Sequence, residues 1–245
     1  VGRKIFNCNS GTGSILEAAK KRFINFKEHK TVNIVKNLVR KMLDVSGLRG
    51  LNVLRNSEYL KTCGWFNSVK QKQAVDAEGR EIPWMAYPVT DFLKQRLNKG
   101  MAVFEYGSGN SSLWLAKQVN TVISCEHDKA WYELVRMKTP SNIKIIYRNL
   151  DSGEYAGEIS NYHDEFDIII FDGRDRVNCI KKSLGALKTG GVIILDDSFR
   201  EEYKAGKDFF HANGFKSIAI AGPTPIYFNY GETTIFYRNN NCFNI

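Results

Sequence analysis

Residues 103–128 read VFEYGSGNSSLWLAKQVNTVISCEHD. Val103, Phe104 and Glu105 close a hydrophobic run. Gly107, Ser108, Gly109 and Asn110 follow as a tight turn, and Ser111 to Val119 has helical character, with Leu113, Trp114 and Ala116 on it. A second short apolar run, Thr121 to Cys125, ends in Glu126. Strand, glycine turn, helix, strand and acid is the order of a nucleotide-binding βαβ unit. The glycines let backbone approach a ligand closely, and the acid after the second strand accepts hydrogen bonds from a ribose. Asn110 and Ser111 stand where the pyrophosphate fingerprint has its third glycine, which makes a nicotinamide dehydrogenase a poor fit.

Downstream the pattern stays regular. Strands are predicted at 101–106, 121–125, 142–147, 166–171 (FDIIIF), 191–195 (GVIIL), 215–220 and 233–237. Helices are predicted at 129–138, capped by Asp128 and stopped by Pro140, at 177–188, ended by Gly190, and at 200–213, ended by Gly214. Near-continuous apolar strands alternating with helices imply a mostly parallel sheet covered on both faces. The last two strands are joined by AGPTPIYFNYGE, which has no room for a crossover helix, so they pair antiparallel. The expected fold is an α/β three-layer Rossmann-like sandwich: a seven-stranded, mostly parallel sheet with a C-terminal antiparallel hairpin, preceded by N-terminal helices.

Upstream, residues 1–98 read as an N-terminal helical extension and strap, and 99–245 as the cofactor-binding domain. Residues 1–14 read as a loop or tail. Ser14 and Glu17 have capping-box spacing before a helix carrying Ile15, Leu16, Ala19, Phe23 and Phe26. A second amphipathic stripe carries Ile34, Val35, Leu38, Val39, Met42 and Leu43, with Lys36, Arg40 and Lys41 on the other side. It faces the main domain, a partner subunit or a membrane interface. Packing on the main domain is the commonest outcome, and a homodimer through these helices is the alternative that also covers the stripe. A short helix around Glu58–Thr62 precedes a turn at Gly64. Residues 73–90 are irregular, with Trp84, Met85 and Tyr87 between Pro83 and Pro88. They form either a loop pinned by its aromatics or a strap over the cofactor cleft or substrate mouth. Thr90 or Asp91 then caps a helix at 92–98.

The formal net charge of +9 is unevenly placed. Residues 1–72 hold fifteen Lys/Arg and four Asp/Glu, a net of +11, while 73–245 hold twenty and twenty-two, a net of −2. The basic excess is either a solvated helical face, the commoner case, or a patch for an acidic partner. The five cysteines, Cys8, Cys63, Cys125, Cys179 and Cys242, include no Cys-x-x-Cys pair. That argues against a disulfide framework or zinc site and suits a reducing, cytoplasmic setting. No run of eighteen apolar residues is present to span a membrane, and the first residues lack the apolar core of a signal peptide.

With Glu105 two residues before Gly107, the opening stretch resembles motif I of the class I S-adenosylmethionine-dependent methyltransferases. The resemblance implies the seven-stranded fold with its terminal hairpin. It also implies a cofactor site in which Glu105, Tyr106, Gly107, Ser108, Gly109 and Ser111 cradle the methionine part. Glu126 would bind both ribose hydroxyls with His127 beside it, Asp151 or Leu150 would flank the adenine, and Asp172 would close the methionine side. The strap with Pro83-Trp84, the turn EYGSGNSS, the segment DDSFREEY and the strand TTIFYR together resemble a set of uncharacterised methyltransferases associated with polysaccharide or natural-product modification, over roughly residues 60–238. The implied acceptor is a small molecule or sugar, methylated on oxygen. Asp172 and Asp196 are the candidate bases.

Asp172, Asp196 and Asp197 also resemble the Mg2+ ligands of the catechol-type O-methyltransferases. Here Asp-Asp replaces their Asp-Asn, and Arg174 and Arg176 stand near the first acid, so pairing of the acids with arginine is the competing reading. The loop 222–231, with Pro223, Pro225, Tyr227, Phe228 and Tyr230, either lines an acceptor pocket or packs on the surface. Two other function classes remain. One is an RNA or protein methyltransferase using the basic N-terminal region, disfavoured because no Asn/Asp-Pro-Pro-Tyr/Phe segment follows the fourth strand. The other is a scaffold that binds cofactor without turnover.

Overall fold

The computed structural model describes residues 36–245 apart from 40, 43 and 228. The helix expected at 15–26, with its capping box, and Cys8 lie outside the described residues. The chain divides into two compact units, Val1–Ser57 and Glu58–Ile245. In the first, the described residues of 36–45 are helical, as the stripe predicts, and Gly47 turns the chain with φ of 70° into α1 (Leu48–Asn56).

The strap packs into the sheet's own core and belongs to the second unit. Ala74, Ile82, Met85, Tyr87, Val89 and Leu93 join the cluster formed by Val103, Val122, Ile168 and Ile194. Three helices precede the sheet: α2 (Glu58–Thr62), α3 (Trp65–Gln71) and α4 (Tyr87–Lys94). The helix predicted at 92–98 begins earlier, with Ala86 as its cap. Pro88 sits in the first turn, where its missing N–H is not needed.

The strands are β1 (Ala102–Tyr106), β2 (Thr121–Glu126), β3 (Ile143–Tyr147), β4 (Phe166–Phe171), β5 (Leu187–Leu195), β6 (Lys216–Pro223) and β7 (Tyr230–Tyr237). They form one seven-stranded sheet in the order β3-β2-β1-β4-β5-β7-β6. All neighbours are parallel except β5 with β7 and β6 with β7. The period of two along each strand feeds two cores. Val103, Ile168, Ile170, Val192, Ile194 and Ile235 face one side, and Phe104, Tyr106, Ile169, Phe171, Ile193 and Phe236 the other. Each such side chain, fully buried, contributes about 1.5–3 kcal/mol.

The crossovers are α5 (Asn110–Gln118), α6 (Lys129–Arg136), α7 (Glu154–Gly157), α8 (Arg176–Lys181) and α9 (Lys204–Ala212). Asp128 caps α6 as predicted, accepting from Trp131 N at 3.0 Å. The helix predicted at 177–188 stops at Lys181. Backbone N–H groups of Asp164 and Glu165 donate to Gly185 and Ala186 carbonyls, both at 3.0 Å, and draw that stretch towards β4. β5 then starts at Leu187, opposite Phe166, four residues before the prediction. The helix predicted at 200–213 opens instead with a 3-10 turn at Glu201–Tyr203. Among the described residues no helix is long and apolar enough to cross a membrane.

Candidate functional site

Strands β1 and β4 lie side by side although two strands separate them in sequence. The direction in which strands are added to the sheet therefore reverses beside β1, and ligands bind beyond the carboxyl ends of strands at such a point. The two strand ends nearly touch. Asp172 N donates to Tyr106 O at 3.1 Å, and Gly107 N to Cys125 O at 2.9 Å. Gly107 has φ of 96°, and a Cβ there would lie 3.2 Å from Asp172 O. At Gly173 a Cβ would lie 1.9 Å from the Tyr155 hydroxyl and 2.9 Å from Gly107 N, so no larger residue fits.

Two carboxylates are buried under this turn. Glu105 accepts from Ser112 Oγ at 2.5 Å and Ser124 Oγ at 3.2 Å through Oε2. Its Oε1 is buried and has no partner. Burial raises the Glu105 carboxyl to about 7, against the serine hydroxyls that stabilise its charge. Glu126 accepts from Ser108 Oγ at 2.9 Å through Oε2, and from His127 N at 2.8 Å and Asp128 N at 2.9 Å through Oε1. His127 Nδ1 is 3.0 Å from Oε1, outside hydrogen-bond geometry.

Two clefts open on this rim. The first, about 450 Å³, is lined by Ser108, Gly109, Asn110 and Ser111 of the turn, by Trp131, Leu134, Val135 and Met137, and by Lys72, Gln73 and Ala74 of the strap. Asn110 Nδ2 donates to Ala74 O at 3.0 Å and ties strap to turn. Trp131 Nε1 donates to Ser108 O at 2.7 Å. The second, about 380 Å³, is lined by Asp196, Asp197, Phe199 and Arg200 after β5, by Met85 and Ala86, and by Thr224, Tyr227, Asn229, Tyr230 and Gly231 of the hairpin loop. Trp84 and Asp172 line both. Trp84 stacks on Tyr227 at 6.3 Å between ring centroids.

The acids of the second cleft each have a partner. Arg176, itself buried, donates to Asp172 Oδ1 at 3.0 Å, to Gly173 O at 2.9 Å and to Asp196 O at 2.5 Å, and its guanidinium lies 5.0 Å from the Tyr203 ring centroid. Thr233 Oγ1 donates to Asp196 Oδ1 at 2.5 Å, and Arg200 to Asp197 Oδ2 at 2.5 Å. Burial raises Asp172 to about 7, against the pull of Arg176 and with the push of Glu105 and Asp197. Burial and the neighbouring Asp172 raise Asp196 as well. The expected Mg2+ set of Asp172, Asp196 and Asp197 does not converge: among the described residues no group of three or more His, Cys, Asp or Glu is placed to hold a metal.

The parallel run β3-β2-β1-β4-β5, with β7 inserted antiparallel before β6, decides the fold. It is the Rossmann-like sandwich, mostly parallel with a C-terminal antiparallel hairpin, that the sequence led one to expect. No protein-family model matches the chain, and no curated protein does. Solved structures similar to it include precorrin-6y C5,15-methyltransferase from Geobacter metallireducens, 14% identical, with a TM-score of 0.49 over 70% of this chain and 96% of that one. The tRNA (m1A58) methyltransferase of Aquifex aeolicus is 15% identical, with a TM-score of 0.47 over 63% and 70%. Spermidine synthase from Thermotoga maritima is 19% identical, with a TM-score of 0.46 over 62% and 56%.

Within this fold, the predicted residues fall in three places. Ser108, Gly109, Ser111 and Asp172 line the first cleft, and Asp172, Asp196 and Asp197 the second. Glu105, Gly107, Glu126 and His127 lie beneath or beside the turn. Tyr106 contributes backbone to the rim, while its ring is in the core and its hydroxyl donates to Ala156 O at 2.9 Å. Asp151 is exposed on the turn after β3, where its N–H donates to Asn149 Oδ1 at 2.7 Å. Arg176 pairs with Asp172, as the competing reading of the acids expects, whereas Trp131 and Thr233 escape the sequence reading. Trp131 follows an N-cap acid by three residues, a signal for a helix start at the rim.

Proposed function

We propose that this chain is an enzyme that transfers methyl from S-adenosylmethionine to an oxygen of a small-molecule or sugar acceptor. The observation that carries the reading is the pair of clefts meeting at Trp84 and Asp172, one under the glycine turn and the other walled by aromatics and acids.

The residues that line the first cleft, with those buried beneath its turn, fit the cofactor. Glu105 Oε1 is a buried acceptor without a partner, suited to an ammonium group. Gly107 and Gly173 keep side chains out of the cradle. Glu126 supplies a carboxylate for ribose hydroxyls through its neighbour Ser108, and Trp131 and Leu134 offer an apolar wall for a base. S-adenosylmethionine, when bound, supplies a methyl group already activated on a sulfonium. The chain must then align the acceptor, exclude water and take up a proton. Trp84 and Tyr227 give a stacking surface for a ring or sugar face. Asp172, held by Arg176 at the junction of the clefts, accepts the hydroxyl proton, and Asp196 shares the proton load of the pair.

Arg200 is the one Arg or Lys lining the second cleft, against three aspartates. This supports a neutral acceptor over a phosphate-rich one such as RNA. A Mg2+-dependent variant of the reaction would require the three aspartates to leave Arg176, Thr233 and Arg200.

Calorimetric titration with S-adenosylmethionine and S-adenosylhomocysteine, with and without Mg2+, tests the reading. Micromolar binding, unchanged by Mg2+, is expected. A folded chain that binds neither ligand overturns it. Binding with no methyl transferred to any hydroxyl compound tried moves the reading to a cofactor-binding scaffold.

A further inference from the structure

We propose that the segment spanning residues 36–56 docks this chain on an anionic lipid surface. In the helical stretch of 36–45, Leu38, Met42 and Val45 recur at helical spacing, and all are exposed, Met42 by 71% and Val45 by 88%. At 100° per residue these three fall within one arc. Lys41, also exposed, lies beside that arc, while Lys36 and Asp44 lie on the opposite, polar face. After the turn at Gly47, α1 continues the theme with Leu48 and Leu51 exposed and Arg55 in its last turn. So dense a run of exposed apolar side chains calls for a cover.

Charge decides which cover. Residues 36–57 hold five Lys/Arg and one acid, within a region of net +11 over residues 1–72. A second copy of the chain would bury the apolar arc but bring two strongly basic segments together. RNA would satisfy the cations and leave the apolar arc in water. An anionic bilayer surface takes both: the apolar side chains enter the headgroup–acyl boundary, and the long basic side chains, Lys41 beside the arc first among them, reach lipid phosphates. The described helices are too short and polar to cross the bilayer, so the segment lies along it. This inference does not depend on the methyltransferase reading.

The test is co-sedimentation of the full chain with vesicles of phosphatidylcholine alone or with about 30% phosphatidylglycerol, at low and high salt. The chain should sediment with the anionic vesicles and be released by salt. Lys36→Glu with Lys41→Glu, and separately Met42→Asp with Val45→Asp, should each lower the partition coefficient at least about tenfold. These side chains are exposed, so circular dichroism and melting temperature should match the parent. Equal binding to neutral vesicles, no binding to either, or unchanged partition in both double variants overturns the proposal. So does a concentration-dependent dimer lost in Met42→Asp, or salt-sensitive binding to RNA, when neither is accompanied by vesicle binding.

Discussion

The two clefts share Trp84 and Asp172 yet are built from different materials. The cleft under the glycine turn is lined on one side by the glycine and short polar side chains of a single loop, Ser108, Gly109, Asn110 and Ser111, and walled by Trp131, Leu134 and Met137 and by residues 72–74 of the strap. The second cleft gathers long side chains from four separate places: the strap, the ends of β4 and β5, and the hairpin loop. A site set on a glycine turn has little freedom to vary its ligand, whereas one gathered wholly from side chains changes its ligand by substitution. The contrast suits a fixed cofactor facing a variable acceptor.

The largest effect that separates the two should come from Asp172→Asn. The turnover rate, followed as release of S-adenosylhomocysteine, should fall by about two to four orders of magnitude. Cofactor affinity by calorimetry should change far less. A variant that keeps the parent rate removes Asp172 as the base. Next comes Glu105→Gln, read by denaturant unfolding against pH. The native state holds a proton up to about pH 7 that the unfolded chain loses near 4.5, so parent stability declines as pH rises through that window. Asp172 and Asp196, also raised by burial, add to the parent's decline and remain in the variant, so the Gln variant's decline should be smaller by on the order of 3 kcal/mol. Parallel curves for the two proteins would contradict the burial argument. Glu126→Ala strands Ser108 Oγ and the N–H groups of His127 and Asp128, and should weaken S-adenosylhomocysteine binding by about ten- to a hundredfold. Unchanged affinity would detach Glu126 from the ribose. The smallest effect is also the most discriminating. Tyr227→Ala should raise the acceptor KM by about two- to tenfold and leave cofactor affinity alone, while Trp84→Ala should shift both by similar factors. If Trp84→Ala moves only one of them, the clefts do not share that wall functionally.

The same contrast explains what was legible in the sequence. The stretch Glu105 to Glu126 is read locally, because a strand end, a glycine turn and an acid determine one another within a few residues. The hairpin was legible too, since AGPTPIYFNYGE is too short for any connection but an antiparallel one. Arg176 was visible only as one of several arginines near Asp172. Its reach to Asp196 O depends on β4 and β5 lying in register, which spacing does not reveal. Ser124 gave no sign of serving Glu105, because the pairing joins two strands nineteen residues apart. The end of α8 was misplaced for a related reason: residues 182–188 have helical composition, but carbonyls 185 and 186 are claimed by the chain entering β4.

The common wall has one more consequence. Because Trp84 and Asp172 face both clefts, filling one changes the surroundings of the other, and equilibrium thermodynamics makes that influence mutual. Whatever factor S-adenosylhomocysteine imposes on acceptor affinity, the acceptor must impose on S-adenosylhomocysteine, in the same direction and by the same amount. Titrating each ligand in the presence of the other would reveal two ledgers that must agree, and their common value is the coupling free energy between the two clefts.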